Sequence, residues 1–239
     1  MEWRDDAIVL AVRSHGENGA VVNLLTRHHG RHAGLVRGAQ SKANRGVLLP
    51  GNRVSAEWRA RLADQLGRLK CELVEASAAM AMEDAGRLAA LTSACALTEA
   101  TLPDRQPLPA LFEALSALLA SLASAAWPSV YVHWELALLR GLGYGLDLSA
   151  CAATGANDGL AYVSPKSGRA VSLSAGEPYR DKLLALPRFL AEGGEGDARQ
   201  VLDGLALSGY FLDRHVLGPQ GLAAPPARAR LIERLATRC

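Results

Sequence analysis

Residues 53–62 read RVSAEWRARL. Val54, Ala56, Trp58, Ala60 and Leu62 alternate with Arg53, Ser55, Glu57, Arg59 and Arg61. A period of two is that of a β-strand, so one face is expected to be buried while the other carries three arginines. Residues 68–74 repeat the pattern, with Leu69, Cys71 and Leu73 opposite Arg68, Lys70 and Glu72. Upstream, 6–14 (DAIVLAVRS) and 19–27 (GAVVNLLTR) are apolar, β-branched runs. His28 to Arg31 supplies a glycine-containing turn and 32–38 continues as a third strand, a hairpin signature. Five short strands in about 75 residues, with one long connection at 39–52, fit a small closed or nearly closed barrel.

Near Ala78 the period changes. Between Met82 and Thr101, Leu88, Leu91, Cys95 and Thr98 fall at helical spacing. Leu111, Leu115, Leu118 and Leu122 mark a second helix after Pro109, and Val130, Trp134 and Leu138 a third after Pro128, which Gly141, Gly143 and Gly145 end. Residues 147–178 are rich in Gly, Ser, Asn and Ala and read as an irregular loop or hairpin insertion with a short apolar run, Leu160–Val163. Helices are expected again at about 179–192, 197–216 and 226–237, broken by Gly193-Gly194 and Pro225-Pro226. The fold class is α+β: a five-stranded barrel domain at 1–78, then an α-helical domain at 79–239 with the irregular insertion at about 147–178.

Of 239 residues, 49% are hydrophobic and only 5% aromatic, so Ala and Leu fill most of the core, which favours helices. Net charge is +2 but unevenly spread: residues 1–70 hold twelve lysines and arginines against six carboxylates. The expectation is a polyanion-binding surface confined to the front of the chain, the alternative being ordinary fluctuation in surface charge. Cys71, Cys95, Cys151 and Cys239 form no CxxC pair, so the expectation is a reduced, cytoplasmic protein without disulfides. The N-terminus lacks the basic flank and apolar run of a signal peptide. The Ala/Leu-rich segment 114–127 is too short and amphipathic to span a bilayer, so no membrane is expected as partner.

Residues 27–45, RHHGRHAGLVRGAQSKANR, gather three of the six histidines and five lysines and arginines, with no carboxylate. A metal site needs converging ligands, but Gly30 and the flanking strands exclude the helix that would align His28 with His32. The histidines therefore read as solvated turn residues beside a phosphate-facing surface. The candidate nucleic-acid contacts are Arg13, Arg27, Arg31, Arg37, Lys42 and Arg45 from the first three strands and the loop after them, with Arg59 and Arg61 from the fourth strand. Hairpin and loop cations of a small barrel can converge on one groove that tracks a phosphate backbone. Stacking aromatics are scarce: the barrel segment offers Trp3 and Trp58, and Trp58 falls on the apolar face. No Walker loop, G-x-S-x-G or H-E-x-x-H is present, no catalytic triad assembles, and neither enzyme activity nor a cofactor is expected.

The stretch DDAIVLAVRSHGENGAVVNLLTRHHGRHAGLVRGAQ resembles the N-terminal domain of the RecO family of bacterial recombination mediators. The resemblance is carried by the apolar first strand, Gly16-Glu17, Leu24-Leu25-Thr26, Gly30-Arg31 and Val36-Arg37-Gly38. YVHWELALLRGLGYGLDLSAC and YFLDRHVLG are similar to the family's central helix leading into its finger and to its C-terminal helical segment. The resemblance implies an OB-fold (oligonucleotide/oligosaccharide-binding) barrel and a non-enzymatic, nucleoid-associated role in DNA repair. That role covers single- and double-stranded DNA binding, strand annealing and help in loading RecA. It also implies RecR and the acidic C-terminal tail of single-strand-binding protein as partners. Arg31 and Arg37 lie inside the matching motif, whereas Arg27, Lys42 and Arg45 rest on charge alone. Many members carry two CxxC pairs binding zinc in the finger. Here Cys151 stands alone, Thr154 occupies the partner position, and GRAVSLSAG offers no second pair, so a finger without metal is expected. Two alternatives stand beside this reading: a barrel that binds structured RNA, and a protein-interaction scaffold built on the helical domain.

Overall fold

The computed structural model describes residues 1–62 and 64–237, which divide into two compact units. The first comprises Met1–Ala123 with Pro225–Arg228, and the second Ser124–Ala224 with the chain after Arg228.

The first unit is built on a closed five-stranded barrel in the order β1-β2-β3-β5-β4. Its strands are β1 (Glu2–His15), β2 (Gly19–Thr26), β3 (Gly30–Arg37), β4 (Arg53–Arg59) and β5 (Arg68–Glu75). All neighbours are antiparallel except β3 and β5, where a single parallel pair, Leu35 beside Arg68, closes the barrel. The Leu35 N–H donates to the Gly67 carbonyl at 3.0 Å across that seam. The alternation in β4 holds: Val54, Ala56 and Trp58 are buried with Val9, Val22, Leu24, Val36 and Leu69 in the barrel interior. It stops at Arg59, because the chain turns there and the Trp58 indole donates to the Leu66 carbonyl at 2.9 Å. Leu62, expected on the buried face, is exposed, as is Leu73, the last β5 residue before an irregularity in the β4–β5 ladder.

Ile8, Val9 and Leu10 are all buried, although successive strand residues point to opposite faces. One face of β1 lines the interior and the other meets α3 (Ala85–Thr101), whose Cys95 thiol lies 3.7 Å from the Val9 carbonyl. The Asp84 carboxylate caps α3, accepting from the Gly86 and Arg87 N–H groups. The helix therefore starts three residues after the expected Met82. The long connection contains a short helix, α1 (Lys42–Arg45), and α2 (Ser77–Ala81) and α4 (Pro109–Ser121) complete the unit. The first compact unit thus extends past the end of the β-period at 78 and takes in α3 and α4 with the barrel.

In the second unit α5 (Trp127–Gly141) packs on α8 (Ala198–Phe211). Gly204 lets Val132 approach, and the Ser208 hydroxyl donates to the fully buried Glu135 carboxylate. The insertion holds a three-stranded sheet in the order β7-β6-β8: β6 (Leu160–Val163), β7 (Ala170–Ser172) and β8 (Leu184–Ala185), with α6 (Leu173–Gly176) after β7. The helix expected at 179–192 is not formed. Glu177–Lys182 is a 3₁₀ turn, β8 pairs with Tyr162 and Val163, and only α7 (Arg188–Glu192), entered through Pro187, is helical. Sheet pairing overrides local propensity there, and proline excludes a continuous helix. The helix expected at 197–216 ends at Phe211 and continues as a π-helical turn, Leu212–Leu217. The last helix, α9, spans Pro226–Ala236.

Candidate nucleic-acid interface

The eight cations singled out by the sequence fall into two groups. Four are matched by carboxylates. Arg13 pairs with Glu99 at 2.7 Å, and Arg31 with Asp104 at 2.8 Å. Arg59 pairs with both Glu2 and Glu57 at 2.7 Å. Arg27 pairs with Glu113 and Asp6 and lies over the Phe112 ring, 4.7 Å from its centroid. Asp6 is shared with Arg53, whose guanidinium reaches it at 2.6 Å and is held more firmly protonated by that hydrogen bond. The outer face of β1, β4 and β5 is therefore a mixed-charge lattice, since Arg4 and Lys70 also converge on Glu72.

The other four, Arg37, Lys42, Arg45 and Arg61, form no ion pair among the described residues. Arg37 is exposed at the end of β3, and Lys42 and Arg45 lie on α1. That segment is well ordered by its own bonds: Ser41 caps α1 by accepting from Asn44 N at 3.3 Å, and the Asn44 side chain donates to the Gly38 carbonyl at 3.0 Å. Arg61 shares a groove of about 610 Å³ with Arg59, Arg68, Gln65 and Met1, whose amino group donates to the Ala60 carbonyl at 2.7 Å. Arg68 was not among the sequence candidates, because it read only as the polar side of an alternating strand.

The histidines depart furthest from expectation. His32 is a β3 residue, 6% exposed, set edge-on to Trp3 and Trp58 at 4.9 and 4.8 Å, and not a solvated turn residue. Among the described residues neither of its ring nitrogens has a hydrogen-bond partner. Burial, with the nearby Arg105 charge, pushes its pKa down to about 4. His28 and His29 do sit in the turn, but both are held by one buried carboxylate from β1. Asp5 accepts from the His28 N–H at 2.8 Å, and its two oxygens lie 2.9 and 2.8 Å from Nδ1 of His28 and His29. Burial raises the Asp5 pKa, and these hydrogen bonds outweigh it, keeping the carboxyl below its ordinary range. The sequence distance between Asp5 and the turn hid this contact.

Among the described residues no three His, Cys, Asp or Glu side chains converge as metal ligands. The two CxxC pairs of a zinc finger do not fit the insertion. Cys151 is buried and accepts from the Ser172 N–H at 3.2 Å, with the Ser172 hydroxyl 3.4 Å away. Cys71 and Cys95 belong to the other unit, and Cys239 lies outside the described residues. Nor is any helix among the described residues long and apolar enough to cross a membrane.

Known proteins match this chain in sequence along nearly its whole length. The profile for the recombination protein O N terminal matches residues 1–77, and that for the recombination protein O C terminal matches 82–222. The protein named DNA repair protein RecO from Rhodospirillum centenum is 59% identical over 98% of this chain and 94% of its own length. Those of Rhodospirillum rubrum and Phenylobacterium zucineum are 51% and 50% identical over 98% of the chain, covering 96% and 98% of their lengths. With both halves of the family matched and relatives about half identical over nearly their full length, the chain belongs to the recombination protein O family.

Proposed function

We propose that this protein is a non-enzymatic DNA-repair mediator that binds single- and double-stranded DNA on its barrel and anneals complementary strands. It would also assist loading of RecA onto single strands. The observation that carries the reading is the set of exposed cations without carboxylate partners among the described residues, Arg37, Lys42 and Arg45, on one ordered stretch of the first unit. Unmatched guanidinium and ammonium groups gain most from a phosphate, because nothing must be displaced. Arg27 and Arg31 can add to the surface. Their partners Glu113 and Asp104 are exposed, so a phosphate can compete with those two carboxylates, but Arg27 keeps Asp6 as a second partner and the Arg31 side chain is only 21% exposed. Arg13 and Arg59 are the weaker candidates, since Glu99 is largely buried and Arg59 has two partners. Annealing follows from screening the repulsion between two phosphate backbones held on one basic surface.

RecR and the acidic tail of single-strand-binding protein are the proposed protein partners. A cleft of about 410 Å³ in the helical unit is lined by Leu136, Leu148 and Leu190 with Arg140, His133 and Asp147, and its apolar walls beside the Arg140 charge are what support docking of an acidic tail there. The finger is proposed to fold without metal. The decisive experiment measures annealing of complementary oligonucleotides, with and without single-strand-binding protein. The comparison is wild type against Arg37→Glu, Lys42→Glu and Arg45→Glu, with Arg59→Glu as control. Loss of annealing in the first three and near-normal activity in the control is expected. Full activity in all of them removes the barrel surface from the mechanism and favours a scaffold role. Competition by matched RNA that outdoes DNA favours the RNA reading.

A further inference from the structure

The cations explain attraction to a phosphate backbone, but the barrel carries a second kind of feature beside Arg27 and Arg31. Three rings stack nearly parallel from the interior to the surface. Trp58, 2% exposed, lies 5.7 Å from Trp3 at an interplanar angle of 14°. Trp3 lies 4.4 Å from His29 at 10°. His32 stands edge-on to both tryptophans and fixes their spacing. The ladder ends in a ring whose side chain is 36% exposed and for which no ring neighbour other than Trp3 is found among the described residues.

That outermost ring is also immobilised. Its Nδ1 is 2.8 Å from the buried Asp5 carboxylate, and its backbone N–H donates to Thr26 Oγ1 at 2.9 Å. The neighbouring His28 is tied to the same carboxylate through both its N–H and its ring. A ring fixed before binding loses little rotamer freedom when a second ring stacks on it. Single-strand binders pair a basic track with such platforms, because every base offers a π-face.

We infer that the outer face of His29 seats one unstacked nucleobase of a bound single strand, extending the Trp58–Trp3–His29 ladder by a fourth ring. The inference rests on the nucleic-acid reading above and adds base stacking to it. The ligand class is the heterocyclic base, independent of its sequence, since stacking uses the π-face that every base offers.

The test compares an oligothymidine with an oligonucleotide of equal length whose bases are replaced by abasic tetrahydrofuran sugars, at one salt concentration. Wild type is expected to bind the base-bearing strand more tightly, with a change in tryptophan emission that disappears in Trp3→Phe. His29→Ala is expected to shrink that preference by roughly 5- to 150-fold while leaving the abasic strand unaffected. His29→Phe keeps a ring without the Asp5 bond and is expected to retain the preference, so it decides the matter if the alanine variant folds poorly. A preference unchanged in His29→Ala, an equal weakening of both strands, or a preference lost in folded His29→Phe overturns the inference. If wild type binds neither strand, the nucleic-acid reading fails and takes this one with it.

Discussion

At the scale of single residues, His32 couples stability to pH. In the unfolded chain its imidazole takes up a proton near pH 6.5, but in the folded barrel only near pH 4. The unfolded state therefore binds more protons below about pH 6.5, and stability is lost as pH falls from there toward 4. The difference amounts to about 3 kcal/mol, fully present at neutral pH. Replacing His32 by Phe preserves a flat ring between Trp3 and Trp58 and is expected to flatten the dependence between pH 6.5 and 4.5. Urea unfolding of both proteins across that range measures it; parallel curves would show that His32 does not titrate on unfolding. Asp5 acts in a separate, more acidic window. Its folded pKa lies below its ordinary 3.8, so its contribution is present above that value and lost only as pH falls further.

At the scale of elements, the turn between β2 and β3 depends on Gly30. Its φ is +69°, in the left-handed region, and a Cβ there would press into the Gln106 backbone. Backbone cannot move aside as a flexible side chain can, so both strain and overlap oppose any other residue. Gly30→Ala is expected to cost about 2–4 kcal/mol and to lower the urea midpoint without changing the slope. A midpoint within experimental error of wild type would show that the 104–106 segment yields. The finger gives a second expectation at this scale. Its order comes from β6, β7, β8 and the Cys151–Ser172 contact, so excess chelator is expected to leave the thermal midpoint unchanged. Stoichiometric zinc by elemental analysis, with a midpoint that falls on chelation, would contradict it.

At the scale of the whole molecule, the proposed DNA affinity should respond to salt. With Arg37, Lys42, Arg45 and one further cation each neutralising a phosphate of a single strand, log K is expected to fall against log salt with a slope of roughly −3. Fluorescence anisotropy from 50 to 300 mM salt reads the slope directly, and a flat response excludes a phosphate-tracking surface. Base stacking on His29 shifts the whole line without altering its slope, which separates the two contributions.

The alternation in 53–62 and 68–74, the apolar runs before them and the helical spacings after 85 determined the strands, most helices and the barrel itself. Each depends on a period along the chain, and burial of one face follows from that period alone. The same logic found the cations but could not sort them. Whether an arginine meets a carboxylate depends on residues such as Glu99, Asp104 and Glu113, distant in sequence and adjacent only once α3 and α4 lie on the barrel. The 179–192 segment was misread because the pairing of β8 with β6 is a long-range contact that leaves no local signature. The contacts of Asp5 and Trp3 with the histidine turn were equally invisible, although Trp3 itself stood out as a stacking aromatic: closing the barrel brings β1 against the β2–β3 turn and sets the His29 ring on the Trp3 ring.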